Sequence, residues 1–227
     1  MTTFTSQVSS IKDQVYNIIR DKIVYLDLRP GERIDENSIT GLVGASRTPR
    51  REAMMMLEMD GYVNIYPQKG TYVSLIDLNL IREIIYMRYC LELNIFSELA
   101  SKAVPVIPSV EKYLVMQEYA FKSRDFPEYI DNDYTFHEKL FELAGHKQIW
   151  NMIESKLHLT TRFRILGWQS CPEEFKSTID EHRHIAECIE KNDIEDLKNT
   201  LLLHHDVSLS RYYEFLHNSN PEYFVNT

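Results

Sequence analysis

Gly44-Ala45-Ser46-Arg47-Thr48-Pro49-Arg50-Arg51-Glu52-Ala53-Met54-Met55-Met56-Leu57 is the stretch whose reading decides the fold. It reads as the second helix of a helix-turn-helix. Ser46 or Thr48 stands where a hydroxyl caps a first turn, and Pro49 is tolerated there because early helical N–H groups lack intrahelical partners. Met55, Leu57 and Met59 are expected to give the helix an apolar side. Arg47, Arg50 and Arg51 crowd its leading turn, where a recognition helix meets base edges and phosphates. Three cations at a helix N-terminus oppose the macrodipole, so an anion outside the fold is the natural compensation. A surface helix that is merely basic at one end is the plainer alternative, and the flanking sequence weighs against it.

Upstream, Val8, Ile11, Val15, Ile18, Ile19, Ile23 and Leu26 recur mostly at three or four residues, which predicts an amphipathic helix over 8–28. Arg29-Pro30-Gly31 stops it. A short helix from Glu36 to Val43 has Ile39, Leu42 and Val43 as core contacts, and Gly44 turns the chain into the opening stretch. Downstream, Asp60-Gly61 ends the recognition helix. Tyr62 to Tyr66, Pro67-Gln68-Lys69-Gly70 and Thr71 to Leu75 then read as strand, turn and strand. Helix, helix, helix and hairpin make a winged helix-turn-helix. Lys69 and Gly70 at the wing tip are expected to approach the DNA backbone, glycine because nothing protrudes from its Cα. A solvated turn residue is the alternative for Lys69.

A net charge of −9 is unexpected in a DNA-binding chain until it is divided. Residues 1–76 hold nine Lys/Arg against nine Asp/Glu, and the remainder holds 16 against 25, which carries the whole excess. That asymmetry marks two units, 1–76 and 77–227, hinged at Leu75 to Asn79. DNA affinity then comes from a local basic patch, with the acidic unit held away from phosphates. No apolar run approaches the roughly 18 residues needed to span a membrane, and Met1 to Gln7 lacks a signal-peptide core. Cys90, Cys171 and Cys188 are odd in number and widely spaced, which argues against a disulfide framework and against a cysteine zinc site. The expected location is cytoplasmic, with no membrane partner.

From Asp77 onward there is no strand pattern. Helices are expected at about 78–103, 109–122, 126–144, 147–166, 173–191 and 194–217, with Pro105, Pro108, Pro127, Gly145, Pro172 and Asn192-Asp193 at or near the breaks. Six such helices form an antiparallel bundle. The fold class is therefore mainly α, an N-terminal winged helix-turn-helix followed by an all-α bundle. Within the bundle, Asp133 and His137 lie four apart on one helical face. Asp193 falls eleven residues from both His182 and His204, so a turn there brings them to one height. One aspartate and three histidines from three helices suit a first-row divalent metal with positions left open.

Histidines in bundles more often serve as surface or hydrogen-bonded core residues, and the chain has eight. His184 is two positions from His182 and points to another face. Between His204 and His205 the apolar pattern does not decide. His146, His158 and His217 have no partner at ligand spacing and read as structural. Arg88 with Glu92 four residues on reads most simply as a surface ion pair, although an arginine there can grip a carboxylate bidentately. Arg162 and Arg164 are further basic candidates without a discriminating pattern.

The order Pro30-Gly31, Ile39, Gly44 to Pro49, Arg51-Glu52-Ala53, Leu57, Asp60-Gly61 and Lys69-Gly70 resembles the DNA-binding domain of GntR-family regulators. The helical remainder is similar to the FCD effector domain of the FadR subfamily, through Arg88 and Glu92, Asp133 and His137 with Leu140 and Ala144-Gly145, Glu181-His182, and a closing His204. The resemblance covers about residues 10 to 215. It implies a homodimeric regulator, by family habit a repressor, whose bundle senses a small carboxylate metabolite. It also implies that Asp133, His137, His182 and His204 hold a divalent metal, zinc first, with nickel or manganese as alternatives. Arg88 matches a pocket-lining position, and Arg47, Thr48, Arg51 and Gly70 match DNA-contacting positions. Two residues depart from the pattern: Asn37 stands where arginine is common, and Arg50 where an apolar residue is usual.

The reading is a ligand-responsive regulator and not an enzyme, reading a near-palindromic operator through Arg47 and Arg51 with Ser46, Thr48, Arg50, Lys69 and Gly70 beside them. Two alternatives stand against it. One is a metal-dependent hydrolase or oxygenase using the same Asp and His residues, which lacks an acid/base group at a telling spacing. The other is the same regulator with a metal-free pocket.

Overall fold

The computed structural model describes residues 10–41 and 44–225, without the side chains of 38–40, 206–215 and 217. Val8 and the core contacts expected of Ile39, Leu42 and Val43 lie outside the described residues. Two compact units are present: the chain up to Asp77 together with the tail from Glu222, and Leu78–Pro221. The tail thus belongs with the first unit rather than with the bundle. Ile76 N–H donates to the Tyr223 carbonyl at 2.8 Å, and Val225 N–H to the Ile76 carbonyl at 3.0 Å, which seats Phe224 beside Ile76.

In the first unit α1 (Ile11–Val24) begins where Ser10 caps it. The Ser10 hydroxyl accepts from Asp13 N–H while the Asp13 carboxylate accepts from Ser10 N–H, a reciprocal capping box. Its buried stripe, Val15, Ile19 and Ile23, packs with Ala53, Met54 and Leu57 of α3 (Arg47–Met59) and with Tyr62, Val63 and Val73. The short α2 (Glu36–Gly41) precedes α3. Met55 and Met59 do not join the core; both are exposed. Each is two residues from Leu57, and at about 100° per residue such positions face nearly opposite ways. Ser46 occupies the N-cap position of α3 in an extended conformation, but its hydroxyl makes no capping hydrogen bond.

The wing is β1 (Val63–Tyr66) paired antiparallel with β2 (Gly70–Val73), in register Val63↔Val73 to Tyr66↔Gly70. Pro67 stands second in the turn and Gln68 third at φ 64°, the pattern of a type II turn. Gly70 sits at φ 113°, and a Cβ there would meet Arg33 Nε at 2.9 Å. Glycine suits this backbone conformation, and a Cβ there would also have to displace the flexible Arg33 side chain.

The second unit is a helical bundle: α4 (Leu78–Ser101), α5 (Ile107–Ser123), α6 (Phe126–Ala144), α7 (Lys147–Ser170), α8 (Glu174–Lys191) and α9 (Ile194–Ser219). Its core runs through Phe96, Leu99, Val110, Phe136, Phe141, Trp150, Ile185 and Leu201. Two corners use one device, a left-handed residue closing one helix and an aspartate capping the next. Arg124 at φ 59° precedes Asp125, whose carboxylate accepts from Glu128 N–H at 3.1 Å. Asn192 at φ 54° precedes Asp193, whose carboxylate accepts from Asp196 N–H at 3.1 Å. Among the described residues no helix is long and apolar enough to cross a membrane.

Replacing Asp125 by Ala removes the α6 cap and is expected to cost about 1 kcal/mol in urea unfolding, with Asp125→Asn retaining most of it. Equal loss in both variants would show that the cap geometry is not what holds this corner.

Candidate metal centre and effector cavity

All six helices of the bundle contribute buried polar residues, and three of them supply the histidines. His137 on α6, His182 on α8 and His204 on α9 are all buried, and one ring nitrogen of each lies within 4.8 Å of the others. The Asn192-Asp193 corner sets α8 against α9 so that the His182 and His204 ring centroids are 4.8 Å apart. His137 Nε2 and His182 Nε2 approach to 3.2 Å, and Phe136 stacks on His182 at 4.4 Å between centroids. His205, the alternative to His204, turns elsewhere and places its Nε2 2.8 Å from Glu92 Oε2.

The outer nitrogens decide what the inner ones present. His204 Nδ1 is 3.0 Å from Glu181 Oε2, His182 Nδ1 is 3.0 Å from Gln117 Oε1, and His137 Nδ1 is 3.2 Å from Glu92 Oε1. The last contact is too poorly aligned to be a good hydrogen bond, since that nitrogen has no hydrogen-bond partner. Gln117 Nε2 donates to Asp133 at 3.4 Å, which leaves Oε1 to accept from His182. A carboxylate or amide oxygen only accepts, so His182 and His204 carry a proton on their outer nitrogens, which leaves His182 Nε2 to accept from His137 Nε2. Burial, with the Arg88 charge in addition, pulls His137 down to about 3, and burial holds His182 well below its ordinary value.

The donor set fits a transition metal. Two nitrogens bound at about 2.0–2.1 Å to one tetrahedral ion are spaced close to the observed 3.2 Å. Acceptors on the far nitrogens are what orient and strengthen such ligands. Asp133 stands apart from the three rings. One of its oxygens is 3.7 Å from His182 Nε2, while both are taken by Arg164 of α7 at 2.9 and 3.0 Å. Burial alone would raise the Asp133 carboxyl, but Arg164, helped by His182, holds it well below the usual range.

Arg88 and Glu92 are not a surface pair. They are 7% and 0% exposed, joined at 2.6 Å between Arg88 Nε and Glu92 Oε1. Burial would raise Glu92, but Arg88 and then His137 and His205 outweigh it, keeping the carboxylate ionised. Arg88 Nη2 is buried without a hydrogen-bond partner. Arg88 lines a cavity of about 50 Å³ together with Asp133, Arg164, Thr178, His204 and His205. Gln117 is the neighbour that sequence reading missed; Glu92, Arg164 and Glu181 stood out in the sequence, but not as partners of His137, Asp133 and His204.

In the first unit Ser46, Arg47, Thr48, Arg51 and Lys69 are exposed. Among the described residues nothing pairs with Arg47 or Arg51. The two departures from the family pattern meet each other: Arg50 Nη1 donates to Asn37 Oδ1, and Arg50 Nε lies 3.7 Å from Glu36 Oε2. Arg50 is therefore held between α2 and α3 rather than left to face solvent.

Comparison with known proteins agrees with both halves. A model of the FCD domain matches residues 83–206, and one of bacterial regulatory proteins of the gntR family matches residues 11–73. An uncharacterized HTH-type transcriptional regulator in an unstable DNA locus of Streptomyces ambofaciens is 28% identical over 193 residues, 84% of this chain and 80% of its own. The HTH-type transcriptional repressor RspR of Escherichia coli (strain K12) is 26% identical over 197 residues, 86% of this chain and 85% of its own. Among solved structures, McbR/YncC of E. coli shares the fold with a TM-score of 0.71 at 19% identity, covering 93% of this chain and 99% of that one.

Arg164→Met strands the buried Asp133 carboxylate and is expected to cost about 3–5 kcal/mol in urea unfolding with a chelator present. The double variant Asp133→Asn with Arg164→Met should recover most of that loss. A cost below about 1 kcal/mol for the single variant would mean the pair is dispensable.

Proposed function

This chain belongs to the gntR family of bacterial regulatory proteins and carries an FCD domain, which makes it a transcriptional regulator; we propose that it binds a near-palindromic operator as a homodimeric repressor and answers to a small carboxylate metabolite. The relatives bear names of regulators, one of them a repressor. That leaves the hydrolase or oxygenase alternative without support from the comparisons.

On the DNA side, Arg47 and Arg51 at the start of α3 are free to reach guanine edges in the major groove, with Ser46, Thr48 and Lys69 on the phosphates. Arg50, gripped by Asn37, is available to a phosphate only along the α2–α3 edge. Two recognition helices of a dimer then read two half-sites.

On the sensing side, the observation that carries the reading is the convergence of three buried imidazoles beside an unsatisfied arginine nitrogen. His137, His182 and His204 would hold a divalent transition ion, zinc by donor chemistry with nickel or manganese as alternatives, and Asp133 is the adjacent oxygen donor. Such an ion, when bound, supplies positive charge and open positions for an acid's oxygens. Arg88 Nη2 offers the second hold on the same acid. A cavity of about 50 Å³ accommodates only a few waters, at roughly 10–15 Å³ each. A metabolite therefore enters only with side-chain movement, and Arg164 is the charged lining residue whose partner, Asp133, borders the histidines. An acid that needs this rearrangement binds two states of the bundle unequally, which is what a ligand must do to shift DNA binding.

Anisotropy on a labelled operator selected from random duplexes tests both sides. Arg51→Ala should weaken binding by about 1–3 kcal/mol and flatten preference at one base pair per half-site. From a panel of small carboxylates, an acid that shifts wild-type affinity about fivefold or more should leave Arg88→Ala unmoved. Unchanged specificity in the first variant would overturn the docking, and an equal response in the second would overturn the assignment of Arg88.

A further inference from the structure

A second cluster of donors, chemically unlike the first, lies where α8 meets the start of α9, with Cys188 buried and its partners nearer the surface. His184 and Cys188 lie four residues apart on α8 and so share a face. Asp196 stands in the first turn of α9, just across the Asn192-Asp193 corner. His184 Nε2 is 2.9 Å from Asp196 Oδ2, and Cys188 Sγ is 3.6 Å from the same oxygen. One donor atom from each of the three lies within 4.8 Å of the others. We propose that His184, Cys188 and Asp196 form a second site, for a thiophilic divalent cation of the zinc class, with the fourth position open to water.

The geometry is close to what such an ion requires. Sulfur at about 2.3 Å, nitrogen at about 2.0–2.1 Å and a carboxylate oxygen at about 2.0–2.2 Å on a tetrahedral ion stand roughly 3.3–3.6 Å apart. The sulfur–oxygen separation already matches. The nitrogen–oxygen separation is a few tenths of an ångström short, and His184 and Asp196 are both about half exposed, so rotation of either side chain supplies the difference. The backbone beneath them is held. Asp193 N–H donates to the Cys188 carbonyl at 2.9 Å, and the Asp193 carboxylate takes Asp196 N–H. The donors are thus presented by two helix ends that one corner locks together, a preorganised arrangement.

Donor chemistry selects the ion. Thiolate and imidazole favour zinc-class cations over magnesium or calcium, which prefer oxygen alone. In the cation-free protein Cys188 is a protonated thiol, because burial and then the Asp196 carboxylate push it up to about 11. A bound cation would take the thiolate and release the proton to solvent. The site is separate from the interior one. His184 is two residues from His182, nearly the opposite side of α8, and the interior cluster contains no sulfur. Sequence spacing missed it, since only one cysteine takes part and its partner carboxylate lies beyond the turn.

Cobalt(II) is the probe, titrated into the full chain under reducing conditions. Interior histidine and aspartate ligands give visible d–d bands only, whereas Cys188 gives a thiolate-to-cobalt charge-transfer band in the near ultraviolet. That band should appear in the wild type, vanish in Cys188→Ser and be reversed by zinc but not by magnesium. In Asp196→Asn, an exposed change that leaves the core intact, cobalt affinity read from the same band should fall at least about tenfold. Absence of the band at saturating cobalt, its survival in Cys188→Ser, or an undiminished affinity in Asp196→Asn would each overturn the proposal. The d–d bands report the interior site independently of all three.

Discussion

Three acceptors, Glu92 Oε1, Gln117 Oε1 and Glu181 Oε2, stand at the outer nitrogens of three buried histidines, and the chemistry of the bundle depends on them. Gln117 and Glu181 accept from the outer nitrogens of His182 and His204, while Glu92 lies beside that of His137. Glu92 does most. Its two oxygens meet Arg88 on its own helix, His137 on α6 and His205 on α9, so one buried carboxylate ties three helices and sets the charge state of the cavity wall. This buried carboxylate stays ionised although burial opposes it, because the Arg88 guanidinium stands against it and the two imidazoles add to its pull. The cost of placing so many polar groups in a core is what an ion and an anionic ligand would offset.

The interior is therefore balanced for company. Arg88 has a donor to spare, Asp133 has its oxygens taken by Arg164, and burial disfavours protonation of His137 and His182. In the metal-free arrangement Arg164 supplies positive charge to Asp133. In the proposed function, an ion beside the histidines would compete with that charge and free the guanidinium for an acid in the cavity, which would link metal and effector through one side chain.

Much of this was legible from punctuation. Gly145, Pro127 and Asn192-Asp193 mark helix ends because left-handed backbone, a missing N–H and a capping carboxylate are local requirements that sequence states openly. Counting outward from Asp193 placed His182 and His204 at one height for the same reason. What stayed hidden was non-local. Arg88 and Glu92 have the spacing of any surface pair, and nothing near them in the chain says that α6 and α9 close over them. Arg164 acquires its partner Asp133 from another helix. Met55 and Met59 looked like core residues by composition, yet their angular positions put them opposite Leu57. The tail around Phe224 returns to the first unit through a single bridge at Ile76, too short a pairing to leave a periodic pattern.

The most direct test of the central claim is zinc K-edge X-ray absorption on the Cys188→Ser protein loaded with zinc and washed. The account expects nitrogen and oxygen scatterers alone at about 2.0–2.1 Å, with the outer-shell signature of several imidazole rings. Zinc that washes away, or a spectrum with a single imidazole or none, would contradict it: the histidines would then be holding one another, and not an ion.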